Sequence, residues 1–134
     1  MALTQKQVSE LFVSIFGRSS EGSGNKFWQQ SVDAKSAAKG MLESPDAKAY
    51  FGSSLNDNQA FIEAIYKNTL NKTVADDAAG IKFWVDALNS GVSRGEVVAS
   101  LVASVASHAN STDPKTKAAY EQFNNRVEVS NYVA

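Results

Sequence analysis

Phe61-Ile62-Glu63-Ala64-Ile65-Tyr66-Lys67-Asn68-Thr69-Leu70 decides how the chain is read, because it restates an apolar pattern that begins at Val8. Val8, Leu11, Phe12, Ile15 and Phe16 occupy the i, i+3, i+4, i+7 and i+8 positions of one helix face. Ile62, Ile65, Tyr66, Thr69 and Leu70 fall on the same positions 54 residues later, with Thr69 where Ile15 stands in the first copy. Each pattern leads through a polar loop into one signature, Gly24-Asn25-Lys26-Phe27-Trp28 and Gly80-Ile81-Lys82-Phe83-Trp84. The signatures lie 56 residues apart, so the second loop is longer by two residues. Both tryptophans of the chain sit in them. Such self-similarity predicts two tandem helical units on one shared core.

The flanking signals extend that reading in both directions. Thr4-x-x-Gln7 is a capping box opening a helix over about 4–16, and Gly17 ends it. Ser19 to Asn25 reads as a polar loop, with Asn25 capping a short helix that carries Phe27 and Trp28. A third helix is expected over 33–43. Ser44-Pro45-Asp46 starts a short one ending near Gly52, anchored by Tyr50 and Phe51. Asn56 to Gln59 supplies another capping box for a helix over 57–70. Asn71 to Asp77 is the longer loop, and Asp76 or Asp77 caps the helix of Phe83, Trp84, Val85 and Leu88, which stops at Asn89-Ser90-Gly91. Ser93-x-x-Glu96 forms a full box before the stripe Val97, Val98, Leu101, Val102 and Val105. Asp113-Pro114 begins a last helix with Tyr120, Phe123 and Val127 inward.

No segment alternates with period two between hairpin turns, so the expected fold is all-α: one domain over 1–134 with seven or eight helices. Internal repeats span about 4–52 and 57–107, and the C-terminal helix covers 113–132. The chain stops at Asn131-Tyr132-Val133-Ala134 without a linker, which reads as the N-terminal part of a longer protein.

Composition narrows the function. A chain of 134 residues buries roughly two-thirds of its unfolded surface and needs no staple. Thirteen basic and 14 acidic side chains give a net charge of −1, which removes the basic field on which nucleic-acid affinity depends. The same balance favours neutral sugar contacts, or divalent cations bridging to phosphate, over a basic clamp. There is no cysteine, hence no thiolate metal site or disulfide. The start shows no Sec-type signal peptide, and no apolar run is long enough to span a bilayer.

Catalytic constellations are missing from the pattern. With His108 as the only histidine, neither a His-pair metal site nor a Ser-His-Asp triad can be assembled. Asp76, Asp77 and Asn71 offer oxygen ligands to calcium without the EF-hand spacing, and helix capping is the better reading. No cofactor is implied. Gly22-Ser23-Gly24 is not followed by the Lys-Ser/Thr of a phosphate loop, and no carboxylate pair has a glycosidase context. Trp28 and Trp84, with Lys26 and Lys82 close by, admit a sugar-stacking reading. Adjacent Trp and Phe on a short helix more often serve the core. The loop residues Arg18, Glu21, Asn25, Lys72 and Asp76 are then better contact points than the rings.

Leu11-Phe12-x-x-x-Phe16-Gly17-Arg18 followed by Gly24-x-x-Phe27-Trp28 resembles the repeat of a bacterial domain-of-unknown-function family, whose pattern is Leu-Tyr-x-x-x-Phe/Leu-Gly-Arg, a loop with Asp, and Gly-x-x-Tyr/Phe-Trp. Ile65-Tyr66-x-x-x-Leu70-Asn71-Lys72 to Trp84, with Leu88-Asn89-Ser90-Gly91-x-Ser93-Arg94-Gly95-Glu96-Val97, is more similar still, departing at Asn71-Lys72 where Gly-Arg is usual. Over nearly its whole length the chain also resembles the N-terminal region of Campylobacter-type surface-layer (S-layer) proteins. That resemblance implies a non-enzymatic module, secreted by a type I exporter through a C-terminal signal and held at the bacterial outer surface. It would anchor there by binding lipopolysaccharide or another surface glycan. The alternative reading is a protein–protein interaction or lattice-assembly module without glycan binding, joining lattice subunits or an adhesin through an exposed helix face.

Overall fold

Local chemistry at Thr4 sets the first helix. Its hydroxyl accepts from the Gln7 N–H at 3.1 Å, and the Gln7 side chain accepts from the Thr4 N–H at 2.9 Å, so two orphan donors are satisfied reciprocally. The computed structural model describes residues 3–20 and 22–133, and among these the chain is helical throughout, with no strand. Helix α1 (Gln5–Phe16) is followed by α2 (Gly22–Trp28), α3 (Ala34–Glu43), α4 (Pro45–Phe51), a 3-10 segment (Gly52–Asn56), α5 (Asn58–Leu70), α6 (Val74–Asn89), α7 (Arg94–Ala106) and α8 (Pro114–Val133). The all-α expectation holds. Gly17, at φ 66°, closes α1 in the left-handed region, and Asn71, at φ 55°, closes α5 at the position 54 residues later.

The core is the predicted stripes brought together. Val8, Leu11, Ile15 and Phe16 of α1 meet Phe61, Ile62, Ile65 and Tyr66 of α5, Met41 of α3, and Val97, Val98 and Leu101 of α7, all buried. Helix α1 is central, packing against α2, α3, α4, α5, α7 and α8. The two helices that carry the repeated apolar pattern, α1 and α5, pair, and α3 packs on α7. Ser14 and Thr69 share a buried hydroxyl contact at 2.5 Å, while Asn68 Nδ2 donates to the Ile15 carbonyl at 3.3 Å. Under a 54-residue offset these two contacts are mates.

Several local expectations need correction. Asn25 caps nothing: α2 begins three residues earlier, and Asn25 is buried within it. Its Nδ2 reaches Ser20 Oγ at 3.0 Å, Ser9 Oγ at 3.2 Å and the Gln5 carbonyl at 3.3 Å, and its Oδ1 accepts from Gln29 Nε2 at 2.7 Å. A Gly-Ser-Gly start is a poor helix former, and this buried network overrides it. The cap of α5 is Asp57, whose carboxylate accepts from the Ala60 N–H, one residue beyond the expected Asn56. The stretch 71–77 is mostly not loop. Thr73 and Asp76 form a capping box around a first turn, and extended Asp77 then interrupts α6 and caps its main body through the Gly80 N–H. Of the Ser93–Glu96 box only half is made, because the Glu96 carboxylate turns to Lys35 at 3.8 Å. Tyr50 is exposed, and buried Ala47 and Phe51 anchor α4.

Asn25→Leu is expected to cost about 2–3 kcal/mol, since Ser9, Ser20 and Gln29 lose buried partners. Urea unfolding checks it; a loss below about 0.5 kcal/mol would mean that the network is not closed.

Candidate functional site: a groove along the C-terminal helix

Helix α8 lies across α1, α5 and α7, held by buried Phe123 and Val127. Its C-terminal half is tied to the first unit by buried Ser130, whose hydroxyl accepts from the Ser20 N–H at 2.9 Å, and by the Asn131 carbonyl, which accepts from Gln5 Nε2 at 2.7 Å. Because α8 spans both units, its side wall meets the two equivalent loops that leave α1 and α5.

Four adjoining hollows line that wall, each sharing residues with the next. The first, about 290 Å³, is bounded by Gly17, Arg18 and Ser19 on one side and by Asn125, Arg126 and Val129 of α8 on the other. Asn125 and Arg126 also border the second, about 410 Å³, with Asn71 and Gln122. Asn71 and Gln122 continue into the third, about 400 Å³, with Lys72, Asp76 and Lys115. Lys72 finally borders a smaller recess of about 200 Å³ walled by Tyr66, Asp77, His108, Thr116 and Tyr120. From Thr116 to Val129 the wall runs about 20 Å at 1.5 Å per residue. It is an elongated groove with amide side chains along its length.

Its charge is net positive, four cations against two carboxylates among the described residues. Arg18, Lys72, Lys115 and Arg126 line it, and none pairs with a carboxylate within 4 Å among the described residues. Its two carboxylates are already engaged. Asp76 accepts from the Thr73 N–H and hydroxyl at 3.0 and 3.2 Å, and Asp77 accepts from the Tyr66 hydroxyl at 2.5 Å. The near-neutral whole chain therefore hides a locally basic groove, which a net charge of −1 does not reveal.

Tyr66 and Asp77 close the recess end. The Tyr66 hydroxyl, then the Gly80 N–H, hold Asp77 below the usual carboxylate range. Burial first, then the hydrogen bond and charge of Asp77, push the Tyr66 phenol above its usual range. Asp77 is the stronger acid when folded, so its stabilisation is present above its ordinary value of 3.8 and is lost as pH falls through the folded value. Tyr66 has the opposite sign: its contribution is present below its ordinary value of 10.0 and is lost as pH rises through the folded value. Asp77→Asn should flatten the fall of the melting temperature below about pH 4, leaving the part due to Asp33 and Asp113, which are also held low. Tyr66→Phe should flatten both limbs. Melting curves across pH read this directly, and unchanged profiles would dissolve the Tyr66–Asp77 contact.

Of the residues singled out from sequence, the groove gathers Arg18, Lys72 and Asp76. The exposed guanidinium of Arg18 lies 5.1 Å from the Phe12 ring centre and 5.3 Å from that of Phe16. Asn25 is internal, as described above. Lys26 is exposed on α2, and Lys82 on α6 is paired with Asp86 at 2.6 Å; neither borders the groove. Trp28 and Trp84 are half-buried against the core, where the core reading of the indoles placed them. Their neighbours are not: Phe27 is 62% and Phe83 64% exposed, each ring edge-on to its tryptophan. Glu21 lies outside the described residues. No cluster of three or more His, Asp or Glu able to hold a metal occurs among the described residues, and no helix there is long and apolar enough to cross a membrane.

Gln122, Asn125 and Arg126 were not anticipated, and Asn71 and His108 enter the sequence reading only for metal or catalytic roles. One available signal was the α8 series Lys115, Ala118, Gln122, Asn125 and Val129, whose 3-4 spacing places one stripe on a helix side.

Comparison with known proteins adds one finding. No curated protein and no solved structure matches the chain. The family model of a domain of unknown function (DUF4214) matches residues 38–110, more than half of the sequence. The matched stretch holds α4 to α7 with the second signature, so the groove forms where this stretch meets α1 and α8 outside it. On that match, the chain belongs to the DUF4214 family.

Proposed function

We propose that this domain is a non-enzymatic anchoring module of a secreted surface-layer or repeats-in-toxin-like protein, and that it holds lipopolysaccharide or a related surface glycan in the α8 groove. The observation that carries the reading is that Arg18 and Lys72, 54 residues apart at the ends of α1 and α5, open onto one groove whose opposite wall is Gln122, Asn125 and Arg126. Amide groups offer a donor and an acceptor for the hydroxyls of a sugar chain, and guanidinium groups offer paired donors for its acidic groups. An elongated groove suits a polymer better than a compact metabolite. No cofactor is needed. Affinity per site can be weak, because a surface array presents many copies and effective concentration supplies the rest.

Deleting this domain should release the parent protein from cells into the medium. A deletion variant that stays attached removes the anchoring role. The alternative, a lattice-assembly module without glycan, is favoured by exposed Phe27 and Phe83 at matching positions of the two signatures. It requires self-association at micromolar concentration that Phe27→Ser and Phe83→Ser abolish, which sedimentation would detect.

A further inference from the structure

Arg126 stands where the first two hollows meet, and no described residue pairs with its charge. Its Nη2 is buried with no acceptor, and among the described residues no carboxylate lies within 4 Å of the guanidinium. Arg94 also keeps a buried N–H without an acceptor, at Nε, yet it is compensated elsewhere. Its Nη2 donates to Asn58 Oδ1 at 2.6 Å, its guanidinium lies 5.1 Å from the Phe61 ring centre, and the charge of Asp57 supports it. Among the described residues Arg126 has none of these, and burial lowers its pKa. A guanidinium does not escape that cost by losing its proton. Removing a charge from water without a partner is unfavourable, so the site gains most from an anion that supplies the missing acceptors.

The surroundings fit such a group. Asn125 borders both hollows beside Arg126, bringing an amide donor, and Arg18 borders the first. None of the described residues lining these two hollows is acidic. We propose that Arg126, with Arg18 and Asn125, forms an oxyanion subsite that takes one phosphate or carboxylate carried by the bound glycan. This rests on the glycan-anchoring reading for its ligand, while the anion preference rests on Arg126 itself.

The test follows the side-chain N–H resonances of Arg126, Arg18 and Asn125 while the chain is titrated with inorganic phosphate and, separately, with glucuronate. In parallel, rough lipopolysaccharide is titrated calorimetrically as isolated, after dephosphorylation, and after carboxyl reduction. The expected result is a saturable shift of the Arg126 and Arg18 signals, and lipopolysaccharide binding weakened about ten-fold or more by Arg126→Gln and partly restored by Arg126→Lys. Loss on dephosphorylation assigns the anion to phosphate, and loss on carboxyl reduction assigns it to an acidic sugar. If lipopolysaccharide binds wild type and Arg126→Gln equally and neither probe moves Arg126, the subsite is wrong while glycan anchoring stands. If the probes move Arg126 and no lipopolysaccharide binds, the subsite stands and glycan anchoring falls. Should Arg126→Gln fail to fold, the wild-type resonances alone decide whether the anion binds.

Discussion

Gly95→Leu is expected to cost about 3 kcal/mol or more and to lower the melting temperature by about 10 °C. Helices α3 and α7 form the most extensive helix pair of the molecule, and Gly95 lies where their backbones come closest. A Cβ built at Gly95 falls 2.9 Å from the Lys35 carbonyl oxygen and 3.0 Å from the Lys39 nitrogen. Both are main-chain atoms inside a helix and have no rotamer by which to yield, so the helices must separate. Separation exposes Ala38, Met41, Val98 and Leu101, and the lost burial adds to the strain. Gly95→Ala should show the same effect at reduced size. Thermal unfolding followed by circular dichroism measures both; a leucine variant within about 1 kcal/mol of wild type would mean that α3 and α7 do not meet at this glycine.

Phe123→Ala has the other large effect, a loss of about 3–5 kcal/mol, the usual range for removing a fully buried ring. Phe123 is 1% exposed, and with Val127 it fastens α8 onto the rest of the core. The consequence extends to function, because α8 is one wall of the groove and its polar face is positioned by the apolar one. The two expected results are therefore coupled: lower stability in urea, and weaker glycan binding even at temperatures where α1 to α7 remain folded. Trp28 and Trp84 report the two units by fluorescence while circular dichroism reports all helices. An unchanged urea midpoint would show that α8 is peripheral.

The fold was legible in the sequence mainly where the determinants are short-range. The caps at Thr4, Asp33, Ser44 and Ser93 each depend on a side chain bonding to an N–H three residues ahead, and such signals can be seen locally. The apolar stripes of α1, α5 and α7 are legible for the same reason. Asn25 is different. Whether it caps a helix or lies inside one is settled by Ser9, Ser20 and Gln29, which meet it only in the folded chain. The first turn of α6 was legible in principle, since Thr73-x-x-Asp76 is itself a capping box, but the loop-like composition around it masked the signal.

The site divides along the same line. Arg18 and Lys72 can be read from the repeat, as matching residues just past matching helix ends. Arg126, Asn125 and Gln122 cannot, because a polar stripe on a terminal helix has the same sequence whether it faces bulk water or a groove. Only the packing of Phe123 and Val127 turns that stripe along the ends of α1 and α5. The exposure of Phe27 and Phe83 was hidden by a similar ambiguity, since an aromatic pair on a short helix gives no sign of which ring points inward.

The central claim is that the groove between α8 and the two repeat loops binds lipopolysaccharide glycan. Its most direct test is calorimetric titration of the chain and of an Arg18→Gln, Lys72→Gln double variant with smooth and rough lipopolysaccharide, with and without calcium. The account predicts saturable binding by the wild type without calcium, weakened about ten-fold or more in the double variant while its melting temperature falls by no more than about 5 °C. Binding of equal strength in the double variant, or none by the wild type to either lipopolysaccharide, would contradict it.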